Sequence, residues 1–244
     1  MLPSMSILSD ARSWLSNLLM PRTCPICGET IPVDGPPICS LCEMLAPLTN
    51  FHLVEQNPMV TQFWGLMPLH HASAMVWYIH GSGWQRAIHD IKYHRCFHLA
   101  RELGEWWAVQ LGQSEFYRDI DAIVPVPLHW RRRLSRTYNQ SEYLADGLSK
   151  GLGVSVIRNA VRRSRYNTSQ TFHSATERWD NVEGIFRVTR PELLCGKHLL
   201  LVDDVFTTGA TIISMGNAIL AAAKDVTLSV ATLSVSKSRF DKIR

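Results

Sequence analysis

Leu199-Leu-Leu-Val-Asp203-Asp204-Val-Phe-Thr207-Thr208-Gly209-Ala210-Thr211 is the stretch on which the reading of this chain turns. Four aliphatic residues in succession, Leu199 to Val202, are the pattern of a strand buried on both faces of a parallel sheet. The strand delivers two adjacent acids to its carboxyl end. A short loop of hydroxyls with one glycine follows, and then a helix of small residues over 210–223. Loop N–H groups, threonine hydroxyls and the positive end of the helix dipole together form an anion cradle. Gly209 allows the backbone to approach the anion closely. The two acids cannot face the same anion, because like charges repel. They suit sugar hydroxyls, which are donors, or a divalent cation. The plain alternative is a strand–turn–helix with capping threonines. A Walker-type loop is excluded, since no Gly-Lys-Thr follows the strand.

Working outward, the chain from about residue 71 alternates strand and helix patterns, which predicts an α/β domain. Strands are expected at Ala72–Ile79, Asp121–Val126, Val154–Val161, His198–Val202 and Val226–Val235. Helices are expected at Trp84–Lys92, Leu99–Gln110, Asn139–Leu148 and Ala210–Ala223. Residues 51–70, with Pro58 and Pro68, read as a connector.

Upstream, Cys24-Pro-Ile-Cys27 and Cys39-Ser-Leu-Cys42 pack four of the six cysteines into one short segment. Two residues between cysteines let both thiolates of a tight turn reach one tetrahedral ion, and a second such knuckle completes a four-cysteine site of the kind zinc prefers. Gly28 falls where the knuckle needs a permissive backbone. The segment over 20–50 has no helical or strand periodicity and cannot build a core by itself. Two disulfides or an iron–sulfur cluster are the competing uses. The N-terminal residues lack the unbroken apolar run of a secretory signal, which disfavours disulfides and predicts a cytoplasmic protein. Ile7, Leu8, Ala11, Leu15 and Leu18 fall near helical spacing, as in a short amphipathic helix. A closed site of four cysteines is structural and has no open position for catalysis.

Two further segments carry charge. Val124-Pro-Val-Pro127 ends a strand in a stiff turn, and Arg131, Arg132, Arg133 and Arg136 follow before the helix at Asn139. Guanidinium groups are suited to bidentate phosphate recognition; a solvated basic loop is the alternative. Arg162 to Asn181 is a long polar stretch containing Gln170 and Arg178, and a loop of that length inside an α/β domain is usually functional.

Composition sets the bounds. Hydrophobic residues at 46% and charged residues at 19% exclude a disordered chain. No apolar run reaches the roughly 18 residues of a spanning helix. The net charge of +4 is uneven: residues 118–190 hold 13 basic against 7 acidic side chains. That excess fits an anionic ligand, phosphate-rich or nucleic acid, as well as a solvated face. Ten histidines, among them His70, His71, His80, His89, His94 and His98, show no metal pattern with cysteines or carboxylates and read as surface or core residues. Cys96 and Cys195 read as inert apolar fillers.

The Asp203–Thr211 stretch closely resembles the phosphoribosyl pyrophosphate (PRPP) signature of type I phosphoribosyltransferases. That resemblance implies a Rossmann-like parallel sheet, which with the four-cysteine segment read as a small N-terminal zinc-ribbon-like domain divides the chain as 1–60 and 61–244. It implies that Asp203 and Asp204 contact the ribose hydroxyls. Thr207, Thr208, Gly209, Ala210 and Thr211 would bind the 5-phosphate. The strand end before Arg131 would carry the pyrophosphate loop, and the Arg162 to Asn181 stretch the hood over the site.

With the four-cysteine knuckle, Lys92-Tyr93, the Val-Pro-Val-Pro loop, Asn139-Gln140 and Gln170/Arg178/Asn181, the chain from about Pro21 to Val235 resembles the ComF family of competence-associated proteins. The family commonly has Arg-Gly-Phe-Asn-Gln where this chain has Arg136-Thr137-Tyr138-Asn139-Gln140. The resemblance implies PRPP as ligand, Mg²⁺ accompanying it, structural Zn²⁺, and Lys92, Arg131, Arg132, Arg133, Arg136, Gln170 and Arg178 as pyrophosphate or hood candidates. The expected activity is transfer of a phosphoribosyl group with release of pyrophosphate, with no side chain assigned as nucleophile. The rival expectation is an accessory factor in DNA uptake that binds single-stranded DNA and meets the competence helicase machinery. Against it, no aromatic-interleaved basic motif is present. Neither reading places the chain in a membrane.

Overall fold

The computed structural model describes residues 21–32, 35–128, 138–164, 184–237 and 240. Strands β1 (His71–Tyr78), β2 (Ala122–Pro125), β3 (Ser155–Val156), β6 (His198–Phe206) and β7 (Thr227–Ser236) form one sheet in the order β1-β7-β6-β2-β3. Every pairing in it is parallel. Strands β4 (Val161–Arg163) and β5 (Phe186–Val188) pair antiparallel in a separate ribbon. Among the described residues the helices are α1 (Ser40–Met44), α2 (Pro58–Thr61), α3 (Gly83–Tyr93), α4 (Phe97–Gly112), α5 (Gln140–Leu152) and α6 (Ala210–Ala222). The amphipathic pattern expected from Ile7 to Leu18 lies outside the described residues.

Alternation along β6 explains the two layers. Leu200 and Val202 pack on one face with Ile88 of α3, Leu103 and Trp107 of α4, and Leu144 and Leu148 of α5. Leu199 and Leu201 pack on the other with Ile212, Met215 and Ile219 of α6. A strand with apolar contacts on both faces must read as a continuous aliphatic run, as β6 does.

From β2 the chain leads through α5 outward to β3. From β6 it leads through α6 in the opposite direction to β7. Neighbouring strands whose connections part in this way leave a crevice at their carboxyl ends, where α/β sheets bind ligands. Both the Val-Pro-Val-Pro turn and the Asp203-Asp204 pair arrive there.

The structure departs from the sequence pattern in several places. Val154–Val161 is not one strand: β3 joins the main sheet, and β4 joins the ribbon after the break at Arg158-Asn159. Residues 51–70 are more than a connector. Phe51, Met59, Phe63 and Met67 are buried in the α6-side core. Asn57 is fully buried; its Nδ2 donates to the Phe51 carbonyl at 3.0 Å and the Ala72 carbonyl at 2.9 Å, while its Oδ1 caps α2. Periodicity hides these apolar residues because they span short helical turns rather than one long element.

Helices α4 and α5 cross at glycines. A Cβ on Gly147 would lie 2.0 Å from the Arg101 carbonyl oxygen, and one on Gly104 would lie 2.6 Å from that of Leu144. Cys195 is exposed rather than buried as a filler, and Cys96 is half-buried.

Candidate functional site

The carboxyl end of β6 opens into a cleft lined by Asp203, Val205, Thr207, Thr208, Gly209 and Thr211. Gly209 has φ +76°, in the left-handed region, and caps α6. A Cβ at this position would lie 2.8 Å from two carbons of the Phe206 ring, so both conformation and space require glycine. The Thr208 Oγ1 accepts from the Ala210 N–H at 3.4 Å. The first N–H groups of α6 have no carbonyl partner within the helix, and they face the loop with the positive end of the dipole. The five residues of the expected phosphate cradle, 207–211, are thus brought together.

Asp203 and Asp204 are both partly buried at the mouth of this loop. Burial pushes the Asp203 carboxyl up to about 7, and the charge of Asp204 pushes the same way. The Asp204 N–H, the Ser141 hydroxyl and the Lys92 ammonium pull in the opposite direction. Ser141 Oγ donates to Asp203 Oδ1 at 2.9 Å, and the Asp204 N–H donates to the same oxygen at 2.9 Å. Lys92 Nζ lies 3.4 Å from Asp204 Oδ2. The pair of acids therefore carries one buried, weakly ionised carboxyl and one paired with a cation.

Residues 139–141 tie three strand and helix ends to this point. Asn139 Nδ2 donates to the Val126 carbonyl at 3.0 Å while its Oδ1 accepts from the Ser141 N–H at 3.2 Å, capping α5. Gln140 Nε2 donates to the Lys92 carbonyl at 3.1 Å. The Tyr138 hydroxyl donates to the Ile91 carbonyl at 2.5 Å. Sequence patterns point to Asn139-Gln140 but not to Ser141. A serine in the first turn of a helix has no signal of its own, and only the fold shows it beside Asp203. Arg131, Arg132, Arg133, Arg136, Gln170 and Arg178 lie outside the described residues, as do His129, Trp130 and Asn181.

At the other end of the described chain, Cys24, Cys27, Cys39 and Cys42 bring all four sulfurs within 4.8 Å of one another. Cys27 Sγ and Cys39 Sγ are 3.6 Å apart. A tetrahedron with zinc–sulfur bonds of about 2.3 Å has edges of about 3.8 Å, whereas a disulfide needs about 2 Å. All six cysteines are free. N–H groups point at the sulfurs: Cys39 N donates to Cys24 Sγ and Cys42 N to Cys39 Sγ, each at 3.5 Å. Burial works to raise the Cys24 thiol, but backbone N–H groups of Cys39, Cys27 and Ile26 carry it down to about 6. Burial and the three neighbouring sulfurs push Cys42 upward. The donor set fits one tetrahedral, thiolate-seeking cation. Gly28 has φ +84°, as the knuckle turn requires. The knuckle rests on α3 and α4: Cys24, Ile26, Ile38 and Cys42 share a core with Trp84 and Ile88. Trp106 Nε1 donates to Glu43 Oε1 at 3.0 Å, and Arg22 pairs with Glu102 at 2.6 Å.

With this geometry established, the chain can be set beside known proteins. No protein-family model matches it. It is 34% identical over 136 residues to the DNA utilization protein YhgH of Escherichia coli (strain K12), which is 54% of this chain and 59% of the relative. It is 37% identical over 94 residues to Competence protein F of Haemophilus influenzae, covering 38% of this chain and 41% of that protein. The chain is similar to YhgH and Competence protein F over these stretches. The matches span at most about three fifths of the length of those relatives. Among solved structures, an adenine phosphoribosyltransferase is matched with a TM-score of 0.40 and 17% identity, over 62% of this chain and 77% of that one. Another, from Saccharomyces cerevisiae, is matched with a TM-score of 0.37 and 17% identity, over 57% and 69%. At such scores the fold rests on the strand order and its parallel pairings, not on these neighbours. Among the described residues, no helix is long and apolar enough to cross a membrane.

Proposed function

We propose that the β6–α6 cleft binds the 5-phosphate and ribose of PRPP, in a protein whose cellular role is competence-related. The observation that carries the ligand is the coincidence of Gly209, at φ +76°, with two partly buried acids at the same strand end. The cradle 207–211 supplies N–H and hydroxyl donors to one phosphate. Asp203 and Asp204 supply acceptors for two adjacent hydroxyls. Lys92 stands beside Asp204 at the same strand end and, released from it, would meet a diphosphate. Mg²⁺ would arrive with the diphosphate and neutralise its charge, touching the protein little. If transfer occurs, the C1–O bond to pyrophosphate breaks with oxocarbenium character, and an acceptor takes the ribosyl carbon. The protein's part is then to orient the ribose and stabilise the departing negative charge.

The names of the relatives favour a second reading of the same cleft: PRPP binding without transfer, in a factor that handles DNA during uptake. The four-cysteine cluster is assigned to structural Zn²⁺ in either case. Titrating PRPP with Mg²⁺, and single-stranded DNA, against the full chain by calorimetry, alone and in competition, separates these readings. Asp204→Asn, or Thr208 replaced by Leu, is expected to weaken PRPP binding by roughly ten- to a hundredfold, the value of one charge-assisted hydrogen bond. Unchanged affinity in both variants overturns the site. Release of pyrophosphate on adding candidate acceptors tests transfer.

A further inference from the structure

Away from the cleft, the solvent side of the last turn of α3 gathers a second set of donors. His89, Asp90 and His94 each offer one ligand atom, and these atoms lie within 4.8 Å of one another. Both histidines are exposed and Asp90 is half-buried. The imidazole centroids of His89 and His94 are 5.4 Å apart, and His94 Nδ1 lies 2.7 Å from Asp90 Oδ1.

On a continuous helix, residues 89 and 94 would point well apart, since five residues turn through about 140° beyond a full revolution. Here the helix stops. His94 is its C-cap with φ −111° and ψ 21°, and Arg95 follows in the left-handed region at φ 59°. Asp90 and His94, four residues apart, are neighbours on the helix face, and with the helix ending here the His94 ring also lies close to that of His89. The cations on the same helix are committed elsewhere: Arg86 Nη2 donates to the Ile26 carbonyl at 3.2 Å, and Lys92 is paired with Asp204 at 3.4 Å. Neither competes for the Asp90 carboxylate. Sequence spacing alone assigns these histidines no metal pattern; the arrangement needs His89-Asp90 and a second imidazole at 94 brought together across a helix end.

We propose that His89, Asp90 and His94 form a surface site for a borderline first-row divalent cation, of the class of Zn²⁺, Ni²⁺ and Co²⁺, independent of the four-cysteine cluster. Two imidazoles and one carboxylate suit such ions rather than Mg²⁺ or Ca²⁺, which favour all-oxygen shells. Three protein ligands leave at least one position for water. A bound ion cross-links Asp90 to the residue that ends α3, and so stiffens the turn from which Lys92 reaches Asp204.

The test uses the full, untagged chain with its cysteine cluster filled by zinc. Co²⁺ is then added as the probe, and bound metal is counted by equilibrium dialysis with elemental analysis. The expected result is one equivalent of Co²⁺ beyond the zinc, with weak visible bands and without the intense near-ultraviolet sulfur-to-metal absorption of a thiolate site. His89→Ala with His94→Ala is expected to remove that equivalent and leave the zinc in place; Asp90→Asn is expected to weaken it about tenfold. Saturation at zinc alone, or an added equivalent that survives the double substitution, overturns the proposal. Should the double variant not fold, paramagnetic broadening of wild-type imidazole signals by Co²⁺ decides the matter. Broadening of His89 and His94 before the others supports the site, and broadening led by His98 or His80 overturns it.

Discussion

Lys92 Nζ stands 3.4 Å from Asp204 Oδ2, so a cation from the end of α3 is held against an acid at the end of β6. Both side chains are largely shielded, at 23% and 17% exposure. At that depth each charge loses hydration, and removing one partner leaves the other poorly compensated. The same ammonium also draws down the neighbouring Asp203 carboxyl. Lys92→Met is therefore expected to raise the protonation midpoint of Asp203 above its value of about 7. Carboxyl ¹³C NMR of labelled aspartate reads this directly. An unmoved midpoint would show that Lys92 does not act on the acidic pair.

Asp203 also gives the fold a pH signature. Its carboxyl sits at about 7 in the folded protein, against an ordinary value near 4, chiefly through burial. Between those values the folded chain holds a proton that the unfolded chain has lost. Stability contributed by this group is thus full below about pH 4 and declines as pH rises through about 7. Urea midpoints of wild type and Asp203→Asn, compared from pH 5 to pH 8, are expected to converge at low pH on that account. The difference should move against wild type as pH rises. A difference independent of pH would contradict the raised carboxyl. In the proposed ligand site the ionised form is the better acceptor, so PRPP affinity is expected to rise over the same interval.

The acids and the glycine of this site are legible in the sequence because they are adjacent and sit where an aliphatic run stops. The strand itself is longer than that run. β6 continues to Phe206, and its pairing with β7 runs on through Asp203↔Thr232 and Val205↔Ser234, where polar residues break the apolar signal but not the backbone ladder. Ser141 and the Lys92–Asp204 pair are not legible, because their partners lie 62 and 112 positions away and only the sheet order brings them together. Asn57 and its buried surroundings escape notice for a related reason: a polar residue in a Pro-containing segment looks like a loop until its amide is seen to satisfy buried carbonyls.

The helix crossing makes a stability prediction free of any assumption about ligand. Gly147→Ala would place a methyl 2.0 Å from the Arg101 carbonyl oxygen, so α4 and α5 must separate. Overpacking of this kind costs about 1–3 kcal/mol, and backbone on the receiving side puts the expected loss near the upper end. Denaturant titration checks it. Gly112→Ala, where the nearest atom is 3.6 Å away at the end of the Leu152 side chain, is the control and is expected to be near neutral. Equal losses in the two variants would mean that the crossing is looser than described.

The cysteine cluster predicts one zinc per chain and a fold that depends on it. Cys24 and Cys42 are buried in the core that α3 and α4 also build, so loss of the ion reaches beyond the knuckle. Cys39→Ser is expected to lower metal content to well below one equivalent and to lower the thermal midpoint. Elemental analysis of protein purified without chelator is the direct check, and an absence of zinc there would remove the assignment.

The last prediction concerns Arg131, Arg132 and Arg133, which follow the carboxyl end of β2 at the crevice beside β6. If they serve single-stranded DNA, their contacts are with backbone phosphates and displace counterions. Affinity then falls with salt at about −0.7 logarithmic units per neutralised phosphate, and replacing all three by Ala flattens the slope by up to about 2 units. If they serve the pyrophosphate of PRPP, the same replacement weakens PRPP binding and leaves the DNA slope almost unchanged. We expect the second outcome. The stretch leaves a strand end at the point where connections diverge, and it returns at Asn139 to cap α5, whose Ser141 holds Asp203. The described residues that flank it, Val126 and Asn139, are joined by the Asn139 Nδ2 bond to the Val126 carbonyl at 3.0 Å, which favours a compact phosphate group over an extended polymer. Salt-dependent DNA binding by wild type and the triple variant, measured beside PRPP calorimetry on the same samples, separates the two. A loss confined to DNA would move the site's purpose to nucleic acid, and no change in either would reduce the arginines to a solvated loop.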